Sequence, residues 1–117
     1  MREQQIGLIG LDDFGKEIAL TIENRGCSVS VYNHSVNRTN EFMKKEAMGK
    51  KIVGTYSISE FVYSLKKPRN ILIVLKTNRQ RDFTINALKP LLQKGDIIID
   101  GRKANQRLIS YKELGLK

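Results

Sequence analysis

The 117-residue sequence has one cysteine, one histidine, two prolines and no tryptophan. The single cysteine, Cys27, excludes an intrachain disulfide and a cysteine metal cluster. With His34 as the only histidine, the sequence offers no Ser-His-Asp set, no Cys-His pair and no metal-ligand spacing. No apolar run approaches the ~20 residues that cross a bilayer, and the first residues lack the apolar stretch of a secretory signal. These absences predict a reduced, cytoplasmic protein without a membrane partner.

The residues that are present are typical of a globular domain, with 40% hydrophobic and 28% charged. The length suits one packed core, so we expect residues 1–117 to form a single domain. The net charge of +9 comes from residues 61–117, where thirteen lysines and arginines accompany four acids. Such an asymmetry is typical either of an anionic partner or of a solvated, lysine-rich surface.

Short apolar segments alternate with amphipathic ones along the whole chain. The apolar segments predict strands at 4–10, 28–32, 51–55, 71–75 and 96–100. The amphipathic segments predict helices at 14–26, 38–47, 57–67, 82–95 and 104–114, the first with Phe14, Ile18, Leu20 and Ile22 in a buried stripe. Strand–helix alternation with near-continuous apolar strands predicts an α/β fold: a doubly wound, Rossmann-type parallel sheet with helices on both faces.

The first predicted strand runs into the segment GLIGLDDFG at residues 7–15. In a dinucleotide-binding G-x-G-x-x-G turn, the second glycine lets the backbone approach a pyrophosphate. Gly10 and Gly15 match the first and third glycines, whereas Asp12 replaces the second. A carboxylate a few Å from a phosphate is repelled by roughly 1–4 kcal/mol. The segment therefore predicts either a nucleotide loop weakened by Asp12 and Asp13, or a loop in which one of them caps the helix.

The loop after the second strand reads YNHSVNR and contains Asn33, His34, Ser35 and Arg38. An NAD site places an acid here to bind the ribose hydroxyls. This loop has no acid, one strong cation and several hydrogen-bond donors, a combination that favours a 2′-phosphate and so NADP over NAD. An ordinary polar turn is the alternative interpretation.

Six cations follow the fourth and fifth predicted strands, at the edge where ligands of such sheets bind. They are Lys76, Arg79, Arg81, Arg102, Lys103 and Arg107. Guanidinium groups grip phosphate in a bidentate fashion, so the loops could form an anion-binding rim. The alternative is that these side chains extend into water.

Six segments, in order, carry a resemblance to a known family: IGLIGL…FG, IENRGCSVSVYNHS, GKKIVGTYSISEFV, KKPRNILIVLK, LKPLLQKGDIIIDG and YKELGL. From Ile6 to about Leu116, the chain resembles the N-terminal NADP-binding domain of 6-phosphogluconate dehydrogenase. The resemblance implies a Rossmann fold, NADP as cofactor, and an origin in the oxidative decarboxylation of 6-phosphogluconate.

The same resemblance implies which residues contact the cofactor. They are Gly10, Leu11, Phe14 and Gly15 in the phosphate loop, Asn33, His34, Ser35 and Arg38 at the 2′-phosphate, and Lys76, Thr77 and Lys103 around the nicotinamide side. The chain departs from the family in each loop. Asp12–Asp13 replace Ala–Val, His34 replaces an arginine, Thr77–Asn78 replace Ala–Gly, and Arg102–Lys103 replace Gly–Asn.

Two hypotheses follow. In the first, the chain is an NADP-binding module that is not catalytically complete alone, because the family's substrate motif and helical dimerisation domain lie beyond the matched segments. It would then work as a homodimer or with a second chain that carries the substrate domain. In the second, the chain is a degenerate paralogue whose basic edge binds another anion, a nucleic acid or a protein. The lack of an aromatic stacking platform argues against specific single-strand nucleic-acid binding.

Overall fold

The computed structural model describes residues 3–101 with their side chains and residues 107–110 as backbone. Strands and helices alternate through most of this range. Their order is β1 (Ile6–Ile9), α1 (Asp13–Asn24), β2 (Val29–Tyr32), α2 (Val36–Lys44), β3 (Ile52–Thr55), α3 (Ile58–Tyr63), β4 (Asn70–Ile73), α4 (Asn78–Leu88), a 3₁₀ turn (Lys89–Leu91), β5 (Ile97–Asp100) and β6 (Arg107–Ser110).

The strands form one sheet in the order β3-β2-β1-β4-β5-β6. The first five strands are parallel, and in the register of β1 Leu8 lies opposite Val31 on one side and Leu72 on the other. The chain runs outward from β1 to β3, then returns to the middle as β4, so the strand order reverses between β1 and β4. In doubly wound sheets, ligands bind at such a reversal, outside the carboxyl ends of the strands.

The core has two parts because consecutive side chains of a strand point to opposite faces of the sheet. Leu8 packs with Ala19 of α1 and Phe42 of α2, whereas its neighbour Ile9 packs with Phe61 of α3 and Leu88 of α4. Helices therefore cover both faces of the sheet, which confirms the predicted Rossmann-type fold.

One predicted element and one predicted burial are wrong. Residues 104–114 were expected to form a helix, but Arg107–Ser110 form strand β6, antiparallel to β5; the remaining residues of that segment lie outside the described part of the chain. Pairing with the edge of β5 overrides the local preference, because strand formation depends on cross-strand neighbours. Phe14 was also expected to be buried, but it lies in the first turn of α1 and is 44% exposed.

A buried ion pair joins the amino-terminal ends of β4 and β5. Arg69 precedes β4, Asp96 precedes β5, and the Arg69 Nη1 to Asp96 Oδ2 distance is 3.0 Å. Asp96 also accepts hydrogen bonds from the Arg69 and Gln93 backbone N–H groups, while Arg69 Nε donates to the Val62 carbonyl oxygen. These bonds satisfy the two charges where water cannot reach them.

Candidate functional site

The turn between β1 and α1 requires glycine at two positions. Gly10 has a φ of +112°, and a Cβ there would lie 2.8 Å from the Val74 carbonyl oxygen. A Cβ at Gly15 would collide with the Gly10 carbonyl oxygen. The two glycines therefore let the turn, the first helix and the end of β4 approach closely, as expected for this type of loop.

Asp12 caps helix α1. Its Oδ1 accepts a hydrogen bond from the Gly15 backbone N–H at 2.9 Å. The carboxylate thereby satisfies one of the free amides of the helix and complements the helix dipole. Of the two alternatives for the aspartates, capping by Asp12 is confirmed; Asp13 lies in the first helical turn and is exposed.

A polar cavity of about 230 Å³ opens at the carboxyl edge, where the strand order reverses. It brings together three of the loops that the sequence singled out, together with the start of α4. Its lining residues are Gly10, Leu11, Asp12, Asn33, His34, Arg38, Val74, Leu75, Lys76 and Gln80.

Asn33 is the buried polar residue of this cavity. It is 7% exposed, and its Oδ1 accepts a hydrogen bond from the Leu11 backbone N–H at 3.0 Å. This bond ties the end of β2 to the turn after β1. Within the described residues, the Asn33 Nδ2 is buried without a hydrogen-bond partner. An amide donor left unpaired in a cavity wall is suited to an acceptor supplied by a ligand.

The other residues of the β2 loop are more exposed. Ser35 caps α2, where its Oγ accepts a hydrogen bond from the Arg38 backbone N–H at 3.4 Å. The Arg38 side chain reaches back over the turn, with Nη1 3.5 Å from the Leu11 carbonyl oxygen. His34 is exposed and lies at the junction of the polar cavity with a second one.

The loop after β4 contributes Lys76 to the polar cavity, whereas Thr77 caps α4. The Thr77 Oγ1 accepts a hydrogen bond from the Gln80 backbone N–H at 3.1 Å. Lys103 and Arg102, expected on the same edge, lie outside the described residues. Phe14 does not line the polar cavity.

The second cavity, of about 300 Å³, adjoins the first and is mainly apolar. The two share His34, Leu75 and Gln80. Apolar side chains from β1, β2 and α4 form its other walls, among them Ile9, Tyr32 and Phe83. Phe83 is 77% exposed, and neither Phe83 nor Gln80 was predicted to belong to the site. The one signal in the sequence was the position of Phe83, an aromatic residue early in a predicted helix that follows a loop at the carboxyl edge of the sheet.

The cations of the loops after β4 and β5 differ in the contacts that they make. Arg81 is held by two carboxylates: Nη1 lies 3.1 Å from Asp100 Oδ2, and Nη2 lies 3.1 Å from Asp82 Oδ1. The bond to Asp100, followed by that to Asp82, raises the pKa of Arg81 above its ordinary value. Arg81 therefore keeps its positive charge, and the two carboxylates balance it. Arg79 and Lys76 line the cavities, and Arg107 begins β6 opposite Asp100.

Two other types of site receive no support from the described residues. Within 3–101 and 107–110, no three histidine, cysteine, aspartate or glutamate side chains come together as metal ligands. None of the helices in those ranges has the length and apolar character needed to cross a bilayer.

This chain is similar in sequence to proteins of known function. Residues 5–110 match the family model of the NAD binding domain of 6-phosphogluconate dehydrogenase. The NADP(+)-dependent, decarboxylating 6-phosphogluconate dehydrogenase of Bacillus subtilis is 57% identical over 101 residues, which make up 86% of this chain and 21% of that enzyme. The enzyme from a Staphylococcus epidermidis strain is 53% identical over 102 residues, or 87% of this chain and 22% of that enzyme.

Solved structures give the same result. Plasmodium falciparum 6-phosphogluconate dehydrogenase has a TM-score of 0.75 and 37% identity, over 83% of this chain and 21% of that chain. An imine reductase from Aspergillus terreus, at 15% identity and a TM-score of 0.64 over 84% of this chain and 31% of that chain, shows the shared fold alone. The chain spans about a fifth of the length of the dehydrogenases it matches. It belongs to the family of NAD-binding domains of 6-phosphogluconate dehydrogenase.

Proposed function

We propose that this chain binds NADP at the carboxyl edge of β1, β2 and β4, as the cofactor domain of an oxidoreductase that acts on 6-phosphogluconate. The observation that carries the proposal is the polar cavity at the strand-order reversal, in which the buried Asn33 Nδ2 is unpaired among the described residues. The Bacillus subtilis relative is named as NADP(+)-dependent, and the Plasmodium structure includes a complex with NADP+. The comparisons give no support to the alternative of a degenerate paralogue with another ligand.

The 2′-phosphate end of NADP would bind at the loop after β2. Arg38 supplies a guanidinium, Asn33 supplies the unpaired amide donor, and His34 lines both cavities. The Ser35 hydroxyl accepts the capping bond, which leaves its own O–H to donate. This set has donors and a cation but no carboxylate, so it suits a phosphate better than a pair of ribose hydroxyls.

The remaining parts of the nucleotide would contact the neighbouring walls. The adenine ring would occupy the apolar cavity between Tyr32, Leu75 and Phe83. The phosphate loop would supply Gly10, Leu11 and Gly15, with Phe14 at its exposed side, while Lys76, Thr77 and Lys103 would lie towards the nicotinamide. When bound, NADP would be the hydride acceptor, and the residues of this chain would bind and orient it.

Residues beyond this domain would bind the sugar substrate, in a longer chain, a second chain or a second copy of this one. The region that matches is 21% of the Bacillus subtilis enzyme, which leaves most of that protein for other tasks. A cytoplasmic location fits this proposal, since pyridine-nucleotide metabolism and a single reduced cysteine suit it. Sedimentation of the purified chain would show whether two copies associate.

Calorimetric titration with NADP and NAD tests the nucleotide proposal. The chain should bind NADP more tightly than NAD, and Arg38→Gln should weaken NADP roughly 10- to 100-fold while leaving NAD nearly unchanged, because a hydrogen bond to a charged group is worth about 1.5–3 kcal/mol. Arg25→Gln is the matched control, since Arg25 is exposed at the far end of α1. An equal loss of NADP affinity in Arg38→Gln and Arg25→Gln, or no binding of NADP to the wild type, would overturn the proposal.

A further inference from the structure

The two cavities at the carboxyl edge meet at three residues, His34, Leu75 and Gln80, which line both of them. In the chain, His34 follows Tyr32 of the apolar cavity and Asn33 of the polar cavity. It is exposed, whereas Asn33 is buried with its Nδ2 unpaired among the described residues. Leucine and glutamine side chains do not ionise, so His34 is the residue of this junction whose charge can change.

The covalent structure of NADP brings its distinguishing group to this junction. The 2′-phosphate is bonded to the ribose that carries the adenine ring, so the phosphate and the ring must bind close together. With the ring in the apolar cavity and the phosphate in the polar one, the ribose between them would lie beside His34. NAD has a hydroxyl group in place of this phosphate, so it would present no charge to the same imidazole.

The other charged or titratable side chains that line the two cavities come from every element around His34. They are Asp12 before α1, Tyr32 in β2, Arg38 in α2, Lys76 after β4 and Arg79 in α4. Aspartate, lysine and arginine ordinarily keep their charge between about pH 6 and about pH 8, and tyrosine stays neutral. Histidine ordinarily gains or loses a proton in this range, and His34 is the only histidine of the chain.

We infer that His34 makes the preference of this site for NADP over NAD depend on pH, because its protonated imidazole binds the 2′-phosphate. The inference rests on the proposed function, since it assumes that NADP binds at this edge. The preference is strongest below neutral pH and weakens as the imidazole loses its proton. Linkage requires the reverse effect as well: if protonation of His34 tightens NADP, then NADP favours protonation of His34.

His34→Gln tests the inference, because glutamine keeps a neutral hydrogen-bond donor and never carries a charge. Calorimetric titration of the full 117-residue chain at constant ionic strength gives the ratio of the two dissociation constants, variant over wild type. For NADP the ratio should be about three- to tenfold at about pH 6 and below about twofold at about pH 8. For NAD it should stay below about twofold at both. The 2′-phosphate itself titrates near pH 6, but this affects both proteins alike and cancels in the ratio.

His34→Arg tests the same inference in the opposite direction, since arginine keeps its charge throughout this range. Relative to the wild type, it should tighten NADP about three- to tenfold at about pH 8 and change it less than about twofold at about pH 6. Titrations at about pH 7 in two buffers with different ionisation enthalpies measure proton uptake. The wild type should take up more protons than either variant on binding NADP.

Gln93→His in the His34→Gln background is the matched control. It restores one histidine to the chain at an exposed residue before β5, at the amino edge of the sheet. This second substitution should leave the affinity ratio for NADP as it is in His34→Gln at both pH values. Circular dichroism melts establish that each variant is folded, and the exposure of His34 and Gln93 favours that result.

The outcomes separate this inference from the proposal beneath it. A pH-dependent ratio for NADP that NAD does not show, and that Gln93→His does not restore, supports the inference. A ratio that is equal at the two pH values, equal for the two nucleotides, or restored by Gln93→His would overturn it while NADP binding stands. If NADP does not bind to the wild type at either pH, the proposed function and this inference both fail.

Discussion

The two edges of the sheet treat their buried polar groups in opposite ways. At the amino-terminal edge, Arg69 and Asp96 are buried and make reciprocal bonds, with side-chain exposures of 4% and 0%. At the carboxyl-terminal edge, Asn33 is also buried, but its Nδ2 is unpaired among the described residues and it lines the polar cavity. Pairing at the first edge serves the fold, whereas a donor left unpaired at the second leaves a place for a ligand.

Asp96→Ala should have the largest effect on the free energy of unfolding, a decrease of roughly 3–5 kcal/mol. The substitution leaves the Arg69 guanidinium buried without its carboxylate and removes the acceptor of the Arg69 and Gln93 amides. Urea denaturation followed by circular dichroism measures the change. Asp82→Ala is the control, because Asp82 pairs with Arg81 but its side chain is 62% exposed, and its loss should stay within about 1 kcal/mol. Similar losses in both variants would contradict the contrast between the edges.

The fold was largely predictable from the sequence because its signals are local. The apolar run at 71–75 and the capping box from Ser57 to Glu60 identify a central strand and a helix start, and the structure has both there. Strand β6 could not be predicted in the same way, because it is stabilised by pairing with β5 rather than by its own residues. The Arg69–Asp96 pair was equally hidden, since charged residues are normally exposed.

Asn33→Ala should have the second-largest effect on stability, a decrease of about 1–3 kcal/mol. Alanine leaves the Leu11 backbone N–H without the Asn33 Oδ1 that accepts it in a buried setting. Thermal and urea unfolding both report the loss. Asn40→Ala makes the same substitution in a partly exposed residue that accepts from the Tyr56 hydroxyl, and it should change stability by less than about 0.5 kcal/mol. A smaller loss at Asn33 than at Asn40 would mean that the Leu11 bond contributes little.

The candidate site was only partly predictable, for a physical reason. Topology brings the loops after parallel strands to one edge, so the positions of Asn33, Arg38 and Lys76 could be expected from strand order alone. What each side chain does depends on neighbours distant in sequence. Arg81 was grouped with the other cations of this edge, but the adjacent Asp82 and the distant Asp100 hold it, and the bond to Asp100 depends on how α4 lies against β5.

Arg81→Gln should lower the free energy of unfolding by about 1 kcal/mol, because it leaves the nearly buried Asp100 without this cation. The pKa of Arg81 is raised in the folded state, so its contribution is fully present below the unfolded-state pKa and is lost only as the pH rises through the raised folded-state pKa. The loss should therefore be the same at about pH 7 and about pH 9.5. Arg79→Gln, in the same helix turn but exposed, should cost less than about 0.5 kcal/mol. If the stability difference between the wild type and Arg81→Gln disappears by about pH 9.5, the raised pKa of Arg81 would be contradicted.

Phe83→Ala should have the smallest effect on stability, within about 0.5 kcal/mol, since the ring is 77% exposed and alanine favours the helix. Its effect should appear instead in binding. Loss of an aromatic wall of the apolar cavity should weaken NADP by roughly fivefold or more, as stacking on a base is worth about 1–3 kcal/mol. Tyr63→Ala is the control, because Tyr63 is 66% exposed at the end of α3 and lines neither cavity. If both variants bind NADP equally well, the adenine ring lies elsewhere, and the carboxyl edge would then recognise the nucleotide through its phosphates alone.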